Sequence, residues 1–441
     1  MRILFFLFFV TFISCNKEVS PVTINADISN IDVEEVTLSG FDYNKKLPVK
    51  TSKVSDTLHI SKAGIYTLSF GRNSSNIYLS PGDQVTINAD ATDFANTVKV
   101  ESPHVAIQDY ISQKNKLKKA FFGRSNFKLE PQEYIAQITK GKDSLTSLLS
   151  KLKVPISFAA FESKNLDYDN AKYRFIYPDY ADKKVEDLSA DFQDPLKDIN
   201  LQDEHEYLAS SEYKSLVSNH FSMKIYKDTT DTYEEVFKKH IVALPSGNIK
   251  NQLLYSDMRY MMGPNENLES FFSFFKENST NAEQLQKIEE QYIDLQKLKK
   301  GELSPKFNYK NFAGGNTSLD DLAGKYVYVD VWATWCGPCK AEIPHLKEIE
   351  KNYHDKNIEF VSISVDKIDD EDKWRKMIED KDLGGSQLFS DNSWDSKFVK
   401  DYRINGIPRF ILIDPEGNII SADAPRPSED KLIEKFDELS I

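Results

Sequence analysis

A short apolar stretch that ends at two cysteines constrains the fold of this chain more than any other part of the sequence. Residues 326–335 read Tyr-Val-Tyr-Val-Asp-Val-Trp-Ala-Thr-Trp, and Cys336, Gly337, Pro338 and Cys339 follow directly. The apolar run predicts a buried strand, and the position of the cysteines predicts that a helix begins there. Two thiols at the start of one helix are therefore the chemical centre of the chain.

The first residues of the chain, 1–15, have the features of an export leader. Arg2 supplies a positive charge, and an apolar run over residues 3–13 follows. That run is too short to span a bilayer, which takes about 20 residues, so a secretory signal is predicted. Its end, Phe-Ile-Ser before Cys15, resembles a bacterial lipobox. The resemblance implies that Cys15 is lipidated and anchors the protein to a membrane. The alternative is an ordinary cleaved signal with an incidental cysteine.

Cysteine usage favours redox chemistry over a structural disulfide. The chain has three cysteines in all, and Cys15 belongs to the leader, so Cys336 and Cys339 are the remaining pair. An exported protein that needed structural disulfides would carry more cysteines. A zinc site would need further Cys or His ligands, and the seven histidines show no ligand spacing. The sequence therefore predicts no metal site and no cofactor.

Length and charge set the broad class of protein. At 441 residues the chain is too long for one typical domain, and its 40% hydrophobic content is enough for packed cores. The net charge of -13 argues against a nucleic-acid partner, which would need a basic face. A multidomain protein is predicted.

Alternating patterns predict a small antiparallel β domain over residues 16–101, after a polar tether of a few residues. Short strand-like segments recur from Val22 to Val100, and Pro81-Gly82-Asp83 is a turn signal. The pattern favours a sandwich or a barrel-like fold. Residues 77–83 resemble part of the β domain that precedes some thioredoxin-like lipoproteins of the Bacteroidetes.

Helical periodicity predicts a helical middle domain over residues 102–302, with six to eight helices. The clearest helix is predicted over residues 282–300, with Asn281 as its N-cap and an apolar face at spacings of three and four. Aromatic residues cluster around Pro178. Core packing is the favoured interpretation of this cluster, and a partner-binding patch is the alternative.

From residue 303 to the C-terminus strands and helices alternate, which predicts an α/β domain over residues 303–441. Leu303-Ser304-Pro305 is interpreted as a linker. The acidic stretch 366–372 lacks the glycine and glutamate of a calcium loop, so a solvated helix start is predicted there. The predicted strands cover 326–332, 358–365 and 409–413, and the predicted helices cover 337–353, 370–379, 394–402 and 429–439.

Two separated motifs in this domain resemble the thioredoxin fold. Trp-Cys-Gly-Pro-Cys follows a strand, and Gly406-Ile407-Pro408 precedes one, where thioredoxins carry a cis-proline. The closer resemblance is to the TlpA/ResA-like branch of membrane-tethered thiol-disulfide oxidoreductases. Residues 332–340, 407–414 and 424–428 carry it, together with Glu342, Pro344 and Gly417. It implies a thioredoxin-like domain with a helix and a strand inserted near 370–390.

Placement and resemblance together assign roles to three residues. Cys336 at a helix N-terminus is predicted to be the attacking thiolate, because unpaired N–H groups and the helix dipole lower its pKa. Cys339, one turn further, is the predicted resolving thiol. Asp330 falls where thioredoxin has a buried acid that takes part in proton transfer, although many members of the tethered branch carry Asn there. A structural aspartate is the alternative.

The remaining predicted site residues contact the substrate. Trp335, Gly337 and Pro338 lie beside the cysteines in sequence. Ile407 and Pro408 are expected to offer backbone groups to an extended substrate, and Arg409 replaces the threonine that is common after the cis-proline.

The predicted function is a periplasmic, lipid-anchored thiol-disulfide oxidoreductase that reduces protein disulfides. Its predicted partners are protein thiol and disulfide substrates, an unidentified electron donor, and the membrane through the anchor. A first alternative makes residues 16–300 a binding module that docks a partner. A thiol peroxidase ranks lower, because its usual P-x-x-x-T-x-x-C pattern is missing.

Overall fold

The computed structural model describes residues 20–41, 43–265 and 267–441. They form two compact units, one with residues up to Phe237 and one from Lys238 to Ile441. Cys15 and the predicted leader lie outside the described residues. The domain limits predicted near residues 102 and 303 stay predictions. None of the helices in the described ranges is long and apolar enough to cross a membrane.

Alternation of buried and exposed side chains builds two β-sheets in the first unit. Their orders are β4-β1-β7-β8 and β3-β2-β5-β6, and buried residues of both, such as Ile24 and Leu68, share one apolar cluster. The predicted sandwich-like fold is therefore confirmed. The strands are Val22–Ser29 (β1), Glu35–Gly40 (β2), Tyr43–Pro48 (β3), Lys53–Leu58 (β4), Gly64–Phe70 (β5), Asn73–Leu79 (β6), Gln84–Asp90 (β7) and Lys99–Glu101 (β8).

One pairing departs from the antiparallel prediction. β1 pairs with β7 in parallel, with Ile24 beside Val85 and Ala26 beside Ile87. Side-chain alternation is the same in parallel and antiparallel strands, so the sequence pattern does not report strand direction. The direction follows from the chain between the two strands, which builds β2, β3, β5 and β6 into the second sheet before it returns.

The predicted helical region is confirmed, but its described residues form ten helices, α2 to α11, rather than the predicted six to eight, because several of them are short. The aromatic cluster around Pro178 belongs to α4. Core packing is confirmed for Tyr168 and Tyr177, which are buried, whereas Tyr180 at the end of the helix is exposed. The helices are Phe94–Thr97 (α1), Val105–Phe121 (α2), Pro131–Leu152 (α3), Ile156–Tyr180 (α4), Ala190–Gln193 (α5), Glu204–Ala209 (α6), Ser211–Lys227 (α7), Tyr233–Val242 (α8), Asn248–Met261 (α9), Leu268–Asn278 (α10) and Ala282–Gln296 (α11).

The N-cap predicted for α11 is present, and the predicted end is not. The Asn281 side chain accepts a hydrogen bond from the Gln284 N–H at 3.0 Å. The helix stops at Gln296 rather than near residue 300, and turns continue to Gly301. Gly301 has a φ of 92°, a left-handed conformation that glycine adopts without strain.

The second unit contains a seven-stranded sheet of order β10-β9-β13-β12-β11-β14-β15. β11 lies inside it, parallel to β12 and antiparallel to β14, as a thioredoxin-like sheet requires. The inserted helix and strand near residues 370–390 are present as α13 and β13. The elements are Asn308–Asn311 (β9), Asn316–Ser318 (β10), Tyr326–Trp332 (β11), Gly337–Asn352 (α12), Ile358–Ser364 (β12), Glu371–Lys381 (α13), Ser386–Phe389 (β13), Lys397–Asp401 (α14), Arg409–Ile413 (β14), Ile419–Ser421 (β15) and Asp430–Glu438 (α15).

The segment interpreted as a linker is hydrogen-bonded to this sheet. The Gly301 N–H donates to the Ile419 carbonyl at 2.8 Å, and the Ile419 N–H donates to Glu302 at 2.8 Å. The Ser304 N–H donates to the Gly417 carbonyl at 2.9 Å. These bonds attach the segment after α11 to the hairpin of β14 and β15, so the segment interpreted as a linker is fixed to the sheet.

Candidate active site

The two cysteines lie at the first turn of α12 and are joined by a disulfide bond with a Cα–Cα distance of 5.3 Å. Cys336 is the N-cap, and its Sγ accepts a hydrogen bond from the Cys339 N–H at 3.1 Å. Pro338 fits the first turn because a proline there loses no intrahelical bond. Both sulfurs are buried, while Trp335, Gly337 and Pro338 around them are exposed. A substrate therefore meets exposed residues directly around the cysteine pair.

A buried carboxylate fixes the loop that leads into the cysteines. Asp366 follows β12 and is fully buried. It accepts hydrogen bonds from the Thr334 N–H at 2.9 Å and the Thr334 Oγ1 at 2.8 Å. It also accepts from the Ser364 hydroxyl at 2.8 Å. The predicted solvated role is therefore wrong for Asp366, which holds the residue two positions before Cys336.

The two halves of the thioredoxin-like motif meet at the disulfide. The peptide bond between Ile407 and Pro408 is cis, as predicted. The Ile407 carbonyl oxygen lies 3.8 Å from the Cys336 Sγ. Residues 71 positions apart in sequence thus form one site. Arg409 begins β14, and its guanidinium binds the Asp423 carboxylate at 2.7 Å. A role of Arg409 in partner choice stays a prediction.

Asp330 lies in the middle of β11, on the sheet face that α12 covers. Tyr328, two residues before it, packs against Leu346 of α12 in one apolar cluster. Cys339 lies on the buried side of the same helix. One oxygen of Asp330, Oδ1, is buried without a hydrogen-bond partner among the described residues. A buried carboxylate oxygen without a partner is rare and calls for a functional explanation.

Burial and two neighbouring acids raise the pKa of Asp330. Burial is the largest cause, and the charges of Glu342 and Glu350 add to it, so the pKa rises from 3.8 to about 8. Glu342 is itself buried and accepts hydrogen bonds from the Ser428 N–H at 3.1 Å and its hydroxyl at 3.0 Å. Burial also raises the pKa of Glu350 to about 7, although Lys347 opposes it. Asp330 is therefore largely protonated at neutral pH.

Two tryptophans beside the cysteines differ in surroundings. Trp332 at the end of β11 is buried. Trp335 is 54% exposed, and its ring centroid lies 6.4 Å from that of Trp394. Sequence reasoning missed Trp394, because it lies 59 positions after Trp335 and outside both motifs. An exposed tryptophan beside a reactive cysteine pair is suited to contact a substrate.

The central strand, the cysteine pair at a helix start and the facing cis-proline define a thioredoxin-like thiol-disulfide oxidoreductase. Residues 301–422 match the model of the AhpC/TSA family. The C-terminal part of the chain is an AhpC/TSA thioredoxin-like domain related to the ResA thiol-disulfide oxidoreductases.

Two ResA proteins support this assignment. The chain is 27% identical over 129 residues to the thiol-disulfide oxidoreductase ResA of Bacillus cereus, with 29% of this chain and 72% of that protein covered. It is 34% identical over 124 residues to ResA of Oceanobacillus iheyensis, with 27% of this chain and 62% of that protein covered. The solved thioredoxin domain of a thiol-disulfide oxidoreductase from Bacteroides vulgatus is 30% identical, with a TM-score of 0.30. The match covers 32% of this chain and 98% of that domain. The predicted ResA-like class of the C-terminal domain is confirmed, and the lipoprotein character and Bacteroidetes-type β domain stay predictions.

Proposed function

We propose that this protein is a lipid-anchored, periplasm-facing oxidoreductase that reduces disulfide bonds in proteins. The observation that carries the proposal is the Cys336–Cys339 disulfide at the start of α12, with the Ile407 carbonyl 3.8 Å from the Cys336 Sγ. The reductive direction is supported by the resemblance to the TlpA/ResA-like branch. The anchor and the location are supported by the leader and by Cys15.

The first step starts from the reduced pair. The helix N-terminus and the Cys339 N–H favour the thiolate form of Cys336. This thiolate attacks one sulfur of a substrate disulfide. A mixed disulfide forms between Cys336 and the substrate, the substrate S–S bond breaks, and the leaving sulfur takes up a proton from water. The buried position of Cys339 keeps the resolving sulfur next to the mixed disulfide.

The second step releases the product. Cys339 loses its proton and attacks the Cys336 Sγ, so the internal disulfide forms and the mixed disulfide breaks. The second substrate sulfur leaves as a thiolate and is protonated. Two electrons have passed from the cysteine pair to the substrate. A separate thiol donor, whose identity is open, must then return two electrons to the pair.

Asp330 is proposed to accept the proton that Cys339 loses. Its pKa of about 8 is close to the usual pKa of a thiol, which is about 8.5, so proton transfer between the two groups is nearly balanced. Its buried Oδ1, which has no hydrogen-bond partner among the described residues, is free to bind that proton.

The redox potential of the cysteine pair tests the direction of electron flow. Known pairs of this kind range from about -270 mV for reductants to about -120 mV for strong oxidants. We expect a value near the reducing end when the pair is equilibrated with glutathione or dithiothreitol buffers. A value near -120 mV would overturn the reductase proposal while leaving the enzyme class intact.

Two further measurements test the remaining parts of the proposal. Cys336→Ser should abolish reduction of a protein disulfide such as insulin, whereas a soluble form with Cys15 replaced should keep it. Mass spectrometry of the mature protein should find a lipid on Cys15. An unmodified N-terminus would contradict the anchor alone.

A further inference from the structure

A cavity of about 620 Å³ opens next to the redox site of the second unit. It lies where the end of α11 and residues 303–305 face α14 and the residues before the cis-proline. Arg403, Ile404 and Asn405 line it, and Ile407 follows two positions later. Trp394 lines it from the other side and contacts the exposed Trp335. On both sides, the cavity is therefore lined by residues that lie close to the cysteine pair in space or in sequence.

Hydrogen bonds and an ion pair hold the walls of this cavity in place. The Ser304 and Tyr402 hydroxyls lie 2.7 Å apart and are hydrogen-bonded, which fixes residues 303–305 against the chain after α14. Arg403 forms an ion pair with Asp294 of α11. Asp294 lies before the residues that match the AhpC/TSA family, whereas Ser304, Tyr402 and Arg403 lie within them.

The charged residues that line the cavity all form ion pairs, and Asp294 is shared by two of the cations. Asp294 binds both Arg403 and Lys297, the latter at 2.7 Å. Lys400 binds Asp395 at 2.8 Å, and Asp401 binds Lys397. Every charged residue that lines the cavity thus already has a partner of opposite charge.

Apolar side chains are what the cavity offers to a ligand. Six lining residues are apolar: Leu298, Leu303, Pro305, Trp394, Val399 and Ile404. Leu303 lines the cavity, and 73% of its surface is exposed to solvent. Burial of an apolar side chain here would remove Leu303 and part of Trp394 from water. These six residues favour an apolar group at this end of the cavity.

We propose that this cavity binds an apolar side chain, aromatic or large aliphatic, of the substrate polypeptide close to its reacting cysteine. The proposal rests on the proposed disulfide reduction. Ile407, whose carbonyl lies 3.8 Å from the Cys336 Sγ, follows Ile404 by three positions. A substrate chain that extends along residues 404–407 would therefore bring a residue two or three positions from its cysteine towards the cavity. Leu303 and Trp394 are thereby specificity-determining residues.

Two glutathionylated peptides test the proposal on the reduced full-length protein. They are identical except that the residues two positions either side of the cysteine are Phe in one and Ser in the other. The readout is the ratio of their kcat/KM values, and each protein is normalised with bis(2-hydroxyethyl) disulfide, which has no side chain to bind. We expect the Phe peptide to be favoured about tenfold, the size typical of one apolar pocket.

Variants at the cavity, compared with a control variant elsewhere, test whether the cavity causes the preference for the Phe peptide. Leu303→Asp and Trp394→Ala should each bring the ratio close to one. Val242→Asp, a change at a valine of α8 that is 60% exposed, should keep the preference. Leu303 and Val242 are both largely exposed, so neither change disturbs a packed core.

The possible failures are distinguishable. A wild-type protein that reduces bis(2-hydroxyethyl) disulfide without preferring the Phe peptide would overturn the cavity proposal alone. A preference that persists in both cavity variants would do the same. A wild-type protein that reduces none of the three disulfides would overturn the proposed reduction and the cavity proposal together.

Discussion

Both units of this protein bury charged side chains, but they do so in opposite ways. In the first unit, Lys114 of α2 lies between Glu162 of α4 and Glu212 of α7, and contacts both carboxylates. Lys118 binds Asp169 at 2.5 Å. In the second unit, burial and the charges of two acids, Glu342 and Glu350, raise the pKa of Asp330, and one of its oxygens is buried without a hydrogen-bond partner in the described ranges.

The pKa values of Glu212 and Asp330 show the difference between the two kinds of burial. Burial alone would raise the pKa of Glu212, but the ammonium groups of Lys114 and Lys118 reverse this and hold it well below its usual range. Nothing comparable opposes burial at Asp330, so its pKa rises to about 8. Paired burial fixes a structure, whereas unpaired burial prepares a group to exchange a proton near neutral pH. The predictions below test this contrast.

The largest effect is expected from breaking the paired network. Glu162→Ala leaves the buried Lys114 with one carboxylate fewer and removes the acceptor of the Tyr110 hydroxyl. We expect a loss of about 3–5 kcal/mol in unfolding free energy, measured by urea denaturation followed with far-UV circular dichroism. Asp167→Ala is the matched control, because it breaks the exposed pair with Lys142 and should cost at most about 1 kcal/mol. Equal losses in the two variants would contradict the structural role of the network.

The second prediction is a gain in stability rather than a loss. Below about pH 4 Asp330 is protonated in both the folded and the unfolded chain and costs nothing. Between pH 3.8 and about 8 only the unfolded chain ionises, so stability falls as the pH rises, and above 8 the loss is constant. Asp330→Asn should therefore stabilise the second unit by about 2–4 kcal/mol at pH 9 and leave it unchanged at pH 4.

Tryptophan fluorescence isolates this effect, because all four tryptophans lie between residues 332 and 394. The network around Glu212 has the opposite pH dependence. Its pKa is lowered on folding, so its contribution is present above pH 4.5 and is lost as the pH falls below that value. A variant Asp330→Asn that is no more stable than the wild type at pH 9 would mean that Asp330 is solvated rather than desolvated.

The third prediction concerns turnover. The ionised form of Asp330 accepts the proton, so turnover of the wild type should rise as the pH passes through about 8. Asp330→Asn should slow resolution of the mixed disulfide about tenfold at pH 8, equal to about 1.4 kcal/mol, and remove this rise. The pH dependence of Cys336 alkylation should stay the same, since its thiolate depends on the helix start. Turnover that is identical in the two proteins between pH 6 and 9 would refute the role.

The smallest effect is expected at Glu350. Its charge contributes to the raised pKa of Asp330, after burial and Glu342. Glu350→Gln removes that charge, so the pH at which turnover rises should shift to lower values by a fraction of one pH unit. A shift to higher pH would show that Glu350 does not raise the pKa of Asp330.

Sequence patterns predicted those features that are determined by residues close together in the chain. The strand, the cysteines and the helix start at Cys336 are contiguous, and Pro408 lies in a recognisable motif, so the halves of the site could be predicted. Asp366 could not be, because its partner Thr334 lies 32 positions away and an acidic run looks the same whether buried or solvated. The parallel direction of β1 and β7 was missed for a similar reason, since alternation carries no direction.

The hydrogen bonds of residues 301–304 have a consequence for anyone who divides this protein into parts. β15 is the last strand of its sheet, and these residues cover its outer backbone groups, including the Ile419 N–H and carbonyl. A fragment cut at residue 305 would leave that edge bare, and uncovered edges template pairing between molecules. Such a fragment is expected to aggregate, while one that begins at residue 238 keeps its edge covered and stays monodisperse.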